Sequence, residues 1–167
     1  MEVIVAVAVL SIILSVAAPS FSDMMNRNRL KVAAEAIYAH LQFVRSEAIK
    51  QGRDLFVRIK LGDDSVSENW CVGISNSSGC DCDTSGSCRY GPAASLIENN
   101  LSSANHDAIK LQSNRTGIKF DSRRGTSNVV GTVSVINANL DSISIIISSR
   151  GRVRLCSNDI AGYSGCN

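Results

Sequence analysis

The chain has 167 residues, enough for one domain with a substantial core and too few to argue for two. A net charge of +2 and a pI near 8.3 exclude a chain that binds nucleic acid through bulk basicity, so any anion site must come from local clustering. Six cysteines behind a strongly apolar N-terminus point away from the reducing cytosol, toward the periplasm or cell exterior.

From Val3 to Ala18 the chain is uncharged and apolar. As a helix this run is about 24 Å long, slightly short of a bilayer core of about 30 Å. A cleaved signal peptide needs a basic n-region, and only Met1 and Glu2 precede the run. A carboxylate at the edge of such a segment is costly, so Glu2 requires a partner. Beyond Pro19, Leu30, Ala34, Ile37, Leu41, Val44 and Ala48 recur at steps of four and three, the stripe of a helix packed along one face. Arg29, Lys31, Glu35, Gln42, Arg45 and Lys50 fall on other faces. The spacing predicts one long helix, kinked near Pro19 and stopped by Gly52. Its first half, within residues 1–22, is expected to lie in the membrane; residues 23–167 form the globular part, helix 23–51 and a β domain over 53–167.

The stretch MEVIVAVAVLSIILSVAAPSF resembles the N-terminal helix of type IV pilins and type II secretion pseudopilins, with Glu2 and Pro19 at the positions of that family's glutamate and proline. The resemblance implies a longer precursor whose basic leader is removed by a prepilin peptidase, which also methylates the new N-terminus. The leader, its glycine and the first three mature residues are not in this sequence. It also implies that Glu2 pairs with the N-terminal amine of a neighbouring subunit during filament assembly. A second stretch, LQFVRSEAIKQGRDLFVRI, resembles the end of the first helix in the GspH/FimT subgroup, through Arg45, Ser46, Glu47, Ala48, Lys50 and Gly52.

After Gly52 the helical period disappears. Short branched or aromatic runs at 54–60, 69–75, 108–112, 117–120, 131–137 and 142–148 are separated by Gly, Ser, Asn and Asp. They predict an α+β fold with the helix laid on antiparallel strands. The subgroup resemblance implies a two-sheet sandwich.

Cys71, Cys80, Cys82 and Cys88 lie in a polar loop, with spacings of one residue or many that suit structural zinc poorly. Disulfides are expected there. Their pairing is open, except that strain disfavours Cys80 with Cys82. By elimination Cys156 pairs with Cys166. His40 and His106 have no catalytic companions in sequence, and neither enzymatic activity, cofactor nor metal is expected.

The last run ends in SSRGRVRLC. If that strand continues through Arg154, then Arg150, Arg152 and Arg154 share its solvent face at about 6.6 Å spacing, with Ile143, Ile145, Ile147, Val153 and Leu155 beneath. A second cluster, Arg115, Lys119, Arg123 and Arg124, is opposed only by Asp121 and would extend one positive patch if the antiparallel sheet brings it alongside. Edge protection alone usually needs one charge rather than three, and Arg favours bidentate phosphate contacts. Gly151 to Arg154 is similar to the Gly-Arg-x-Arg signature of FimT-type minor pilins, which implies DNA binding through Arg152 and Arg154, with Arg150 and Gly151 assisting. The expected function is therefore a minor pilin, single-pass in the bacterial inner membrane with a periplasmic domain, that joins other pilins and binds double-stranded DNA for natural transformation. The alternative is minor pseudopilin H of type II secretion, or a structural pilus-assembly subunit without a DNA ligand.

Overall fold

A computed structural model describes residues 2–62 and 64–166, with the backbone alone for residues 12–19. Helix α1 spans Glu2–Gln51, with Glu2 in its first turn, where a carboxylate complements the helix dipole. The backbone stays helical through residue 19, where the sequence predicts a kink, within one uninterrupted helix. Among the described residues no helix is long and apolar enough to cross a membrane. Val3, Ile4, Val5, Val7 and Leu10 are exposed, so no described residue covers that end.

The second half of α1 follows the sequence stripe. Leu30, Ala34, Ile37, Leu41, Val44 and Ala48 are fully buried, and each large aliphatic among them contributes about 2 kcal/mol by leaving water. The helix stops where Gly52 N–H donates to Ile49 O and Arg53 N–H to Ala48 O, the paired bonds of a Schellman cap.

The strands are β1 Leu55–Leu61, β2 Val66–Ser67, β3 Trp70–Ser75, β4 Arg89–Tyr90, β5 Ile97–Glu98, β6 Asn100–Ser102, β7 Lys110–Ser113, β8 Gly117–Phe120, β9 Gly131–Ile136, β10 Ser142–Ile147 and β11 Val153–Cys156. They form two antiparallel sheets, ordered β6-β3-β1-β8 and β11-β10-β9-β7-β2, plus the small β4–β5 ribbon. Alternation along β9 and β10 sends Val133, Val135, Ile143, Ile145 and Ile147 into the core. Helix α1 packs on β1 and β8 of one sheet and on β9, β10 and β11 of the other. The fold is thus α+β, a long helix seated on two antiparallel sheets.

Three disulfides join Cys71 to Cys82, Cys80 to Cys88 and Cys156 to Cys166. The first four cysteines form a small buried cluster of their own, substituting for apolar side chains in a polar loop. Lys60 pairs with Asp81 and Asp83 of that loop.

His40 is buried, its Nε2 has no hydrogen-bond partner, and burial pushes its pKa down to about 4. The unfolded chain therefore takes up a proton that the folded chain refuses, and stability present above the ordinary histidine pKa is lost as pH falls toward 4. Between about pH 7 and pH 5 the loss should be about 2 kcal/mol. Urea midpoints across that window check it. Replacing His40 by Leu should flatten the slope, leaving the smaller contribution of His106, whose pKa is also lowered by burial.

Candidate nucleic-acid interface

The arginine row is not a ladder on one strand. β10 ends at Ile147 and the chain reverses: Ser148 N–H donates to Arg152 O, Arg152 N–H to Ser148 Oγ, and Gly151 N–H to Ser148 O. Ser149, Arg150 and Gly151 make a three-residue hairpin loop in which Gly151, at φ +74°, takes the left-handed position of a bulge. Arg150 therefore sits on the loop, Arg152 closes it just before β11, and Arg154 stands on β11. Arg154 is paired across to Ile146, and Ser148, Ile146, Arg152 and Arg154 line one shallow cleft. All three arginines are exposed.

The second cluster sits on another turn. Asp121 accepts both Arg123 N–H and Arg124 N–H on Oδ1, at 2.9 and 3.1 Å, and Gly125 N–H on its carbonyl. That local capping shapes the turn and leaves the Arg123 and Arg124 side chains exposed. Ser127 N–H then donates to Ser149 O at 3.0 Å, tying this turn to the hairpin. The two turns also touch through glycines. A Cβ added at Gly151 would overlap the Gly125 carbonyl oxygen and lie 2.9 Å from its carbonyl carbon, so only a glycine lets the backbones approach so closely. The structure thus brings the turn that carries Arg123 and Arg124 against the hairpin that carries Arg150 and Arg152.

Lys119 belongs to the patch less than the sequence suggests. Its ammonium pairs with Asp54 at 2.9 Å, which raises its pKa and lowers that of Asp54. Asp54 also accepts Ser122 N–H, so Asp121 is not the only carboxylate near the turn. Arg115 donates Nε to Val130 O. Because Gly131 pairs with Ile147, this places Arg115 at the hairpin end of its sheet. Sequence reasoning missed Arg53, exposed beside Asp54, and Arg45, whose Nε donates to Gly125 O at 3.0 Å from the helix side. Among the described residues the ion pairs fall on Arg27, Lys50, Lys60, Lys110 and Lys119, leaving Arg123, Arg124, Arg150 and Arg152 outside them.

The tip also has a definite place in the molecule. The opposite end of β10 meets α1 near its middle, through Asn139 Nδ2 to Asp23 Oδ1 and Arg27 to Asp141. From Arg27 to Arg45 the helix rises about 27 Å, so the basic turns lie at the end of the domain away from the uncovered apolar half of α1. Behind them, the Cys156–Cys166 bridge and a hydrogen bond from Tyr163 to Glu35 hold the C-terminal tail against the helix. No metal-binding group of His, Cys, Asp or Glu occurs among the described residues. The arrangement offers arginine forks to a polyanion.

The family model described as type II transport protein GspH matches residues 33–153. Among solved structures, the type IV minor pilin FimU of Pseudomonas aeruginosa is similar at TM-score 0.53 and 22% identity, over 79% of this chain and 91% of that one. The minor pseudopilin EpsH from the Type 2 Secretion System of Vibrio cholerae is similar at TM-score 0.54 and 15% identity, over 77% and 97%. At these identities the likeness is one of fold. No curated protein matches the sequence.

Proposed function

This chain belongs to the family described as type II transport protein GspH, and from that premise we propose that it is a minor pilin whose arginine tip binds double-stranded DNA for uptake in natural transformation. The observation that carries the reading is the interlocking of the two arginine-bearing turns through Gly125 and Gly151. Phosphate contacts suit a protein that must hold any sequence, since they position a duplex without reading bases. No Phe, Trp or Tyr lies in either basic turn, so base stacking of the single-strand kind is not part of the reading. The uncovered apolar start of α1 serves as inner-membrane anchor and filament core, where Glu2 meets the N-terminal amine of a neighbouring pilin. Prepilin peptidase acts on the longer precursor.

A second reading, a pseudopilus subunit of type II secretion without a DNA ligand, is favoured by the family description and by the fold shared with EpsH. A gel shift with mixed-sequence duplex DNA separates the two. Engaging four arginines gives a log–log salt slope of about −4, so affinity should fall roughly 200-fold between about 50 and 200 mM salt. Absence of a shift even at the lower salt would favour the secretion reading.

A further inference from the structure

Resting on the phosphate reading of the tip, we propose that Arg45 of α1 is the positioning residue that joins the two arginine-bearing turns into one anion surface. Its Nε donates to Gly125 O at 3.0 Å, and that oxygen occupies the place where a side chain at residue 151 would be. The same nitrogen lies 3.1 Å from the Cβ position of Gly125 and 3.2 Å from that of Gly151. Together with Ile49 Cδ1, 2.8 Å from the Gly125 Cβ position, the Arg45 side chain therefore packs the space that the glycines leave open, and its Nε fixes the carbonyl on which the turns meet. Little else holds them. Ser127 N–H to Ser149 O is a single backbone bond, and Arg123, Arg124, Ser149, Arg150 and Arg152 are exposed polar residues with no apolar packing to offer.

The chemistry of the clamp points to an anionic ligand. A carbonyl can be held by a neutral donor, and a half-buried cation beneath four like charges works against the empty site by repulsion. When a phosphate backbone is bound, the sign reverses: Arg45 adds positive potential under the surface without giving up its bond to Gly125. Arg also holds a carbonyl at a fixed angle through Nε, which a lysine ammonium does not reproduce.

The test uses the full chain in a nonionic detergent, with hydrogen exchange at the Gly125–Ser127 amides and gel shifts over a salt series on the same mixed-sequence duplex. Arg45→Met should speed exchange at Ser127 and weaken DNA binding about tenfold or more, and the salt slope should become shallower by about two, because the freed turn no longer presents Arg123 and Arg124 with the hairpin. Core amides such as those of Val133 and Ile145 should keep their protection. Unchanged exchange at Ser127, or an unchanged salt slope, overturns the proposal. If the parent protein fails to bind DNA while the variant still frees the turn, the DNA reading falls and the clamp stands. Should Arg45→Met not fold, Arg45→Lys carries the same two measurements, with a shallower slope expected despite its retained charge.

Discussion

Gly151→Ala should be among the most damaging single substitutions in the protein, lowering stability by about 3 kcal/mol and Tm by about 10 °C. Two costs combine. The left-handed φ of +74° alone costs an alanine about 1 kcal/mol. The larger part comes from the methyl group meeting the Gly125 backbone, which has no flexible end to yield, so the hairpin must lift from the neighbouring turn. Gly52→Ala is the matched control. Its φ is +61° and a Cβ there meets nothing within 4 Å, so only the strain of about 1 kcal/mol should appear. Urea and thermal melts of the two variants side by side would reveal the difference; equal losses would mean that the Gly125–Gly151 contact contributes nothing. Because the lifted hairpin separates Arg150 and Arg152 from Arg123 and Arg124, DNA affinity of the folded fraction should fall as well.

The hairpin at residues 148–152 also explains what periodicity can and cannot reveal. Antiparallel pairing matches Ile147 with Val153 and Ile145 with Leu155, odd with odd. A period-two pattern therefore runs through the reversal unchanged, and SISIIISSRGRVRL reads as one long strand. The face of each residue was legible, while the direction of the chain was not. The signal that distinguishes the two is Gly151 in a polar tetrad, since a three-residue loop needs a left-handed residue at that place. On α1, by contrast, the 3.6-residue stripe has no such ambiguity, and the six stripe positions and the stop at Gly52 were readable at once.

Short strands were lost for a different reason. β2, β4, β5 and β6 have two or three residues each, in segments rich in Ser, Asn and Glu, and alternation has no length over which to show itself. Neighbouring strands and disulfides order them rather than their own propensity. Arg45 was hidden similarly: a helix stripe marks it as off the core, but contact with a glycine eighty residues away depends on how both sheets seat on the helix. The two basic clusters were legible as compositions. Their union depends on a backbone contact between two glycines, which leaves no trace in local pattern.

Arg152→Gln with Arg154→Gln is the substitution expected to affect function most with least effect on the fold. Both side chains are exposed, Arg152 just before β11 and Arg154 on it, and their backbone pairing with Ser148 and Ile146 survives the change. Each phosphate contact removed should take about one from the salt slope; Arg152 is one of the four arginines counted above, so the double variant should bind with a slope near −3 and lose roughly tenfold in affinity at about 50 mM salt, equally for any duplex sequence. Arg154 also interacts within the protein, so the two single variants are needed. If Arg152→Gln alone shifts the slope and Arg154→Gln shifts mainly the melting curve, the phosphate contact belongs to Arg152 and Arg154 shapes the cleft. A double variant that binds DNA as the parent does would remove Arg152 and Arg154 from the interface and leave Arg123, Arg124 and Arg150 to account for any binding. A duplex-sequence preference lost together with the affinity would contradict backbone recognition, because phosphate contacts change all sequences by the same factor.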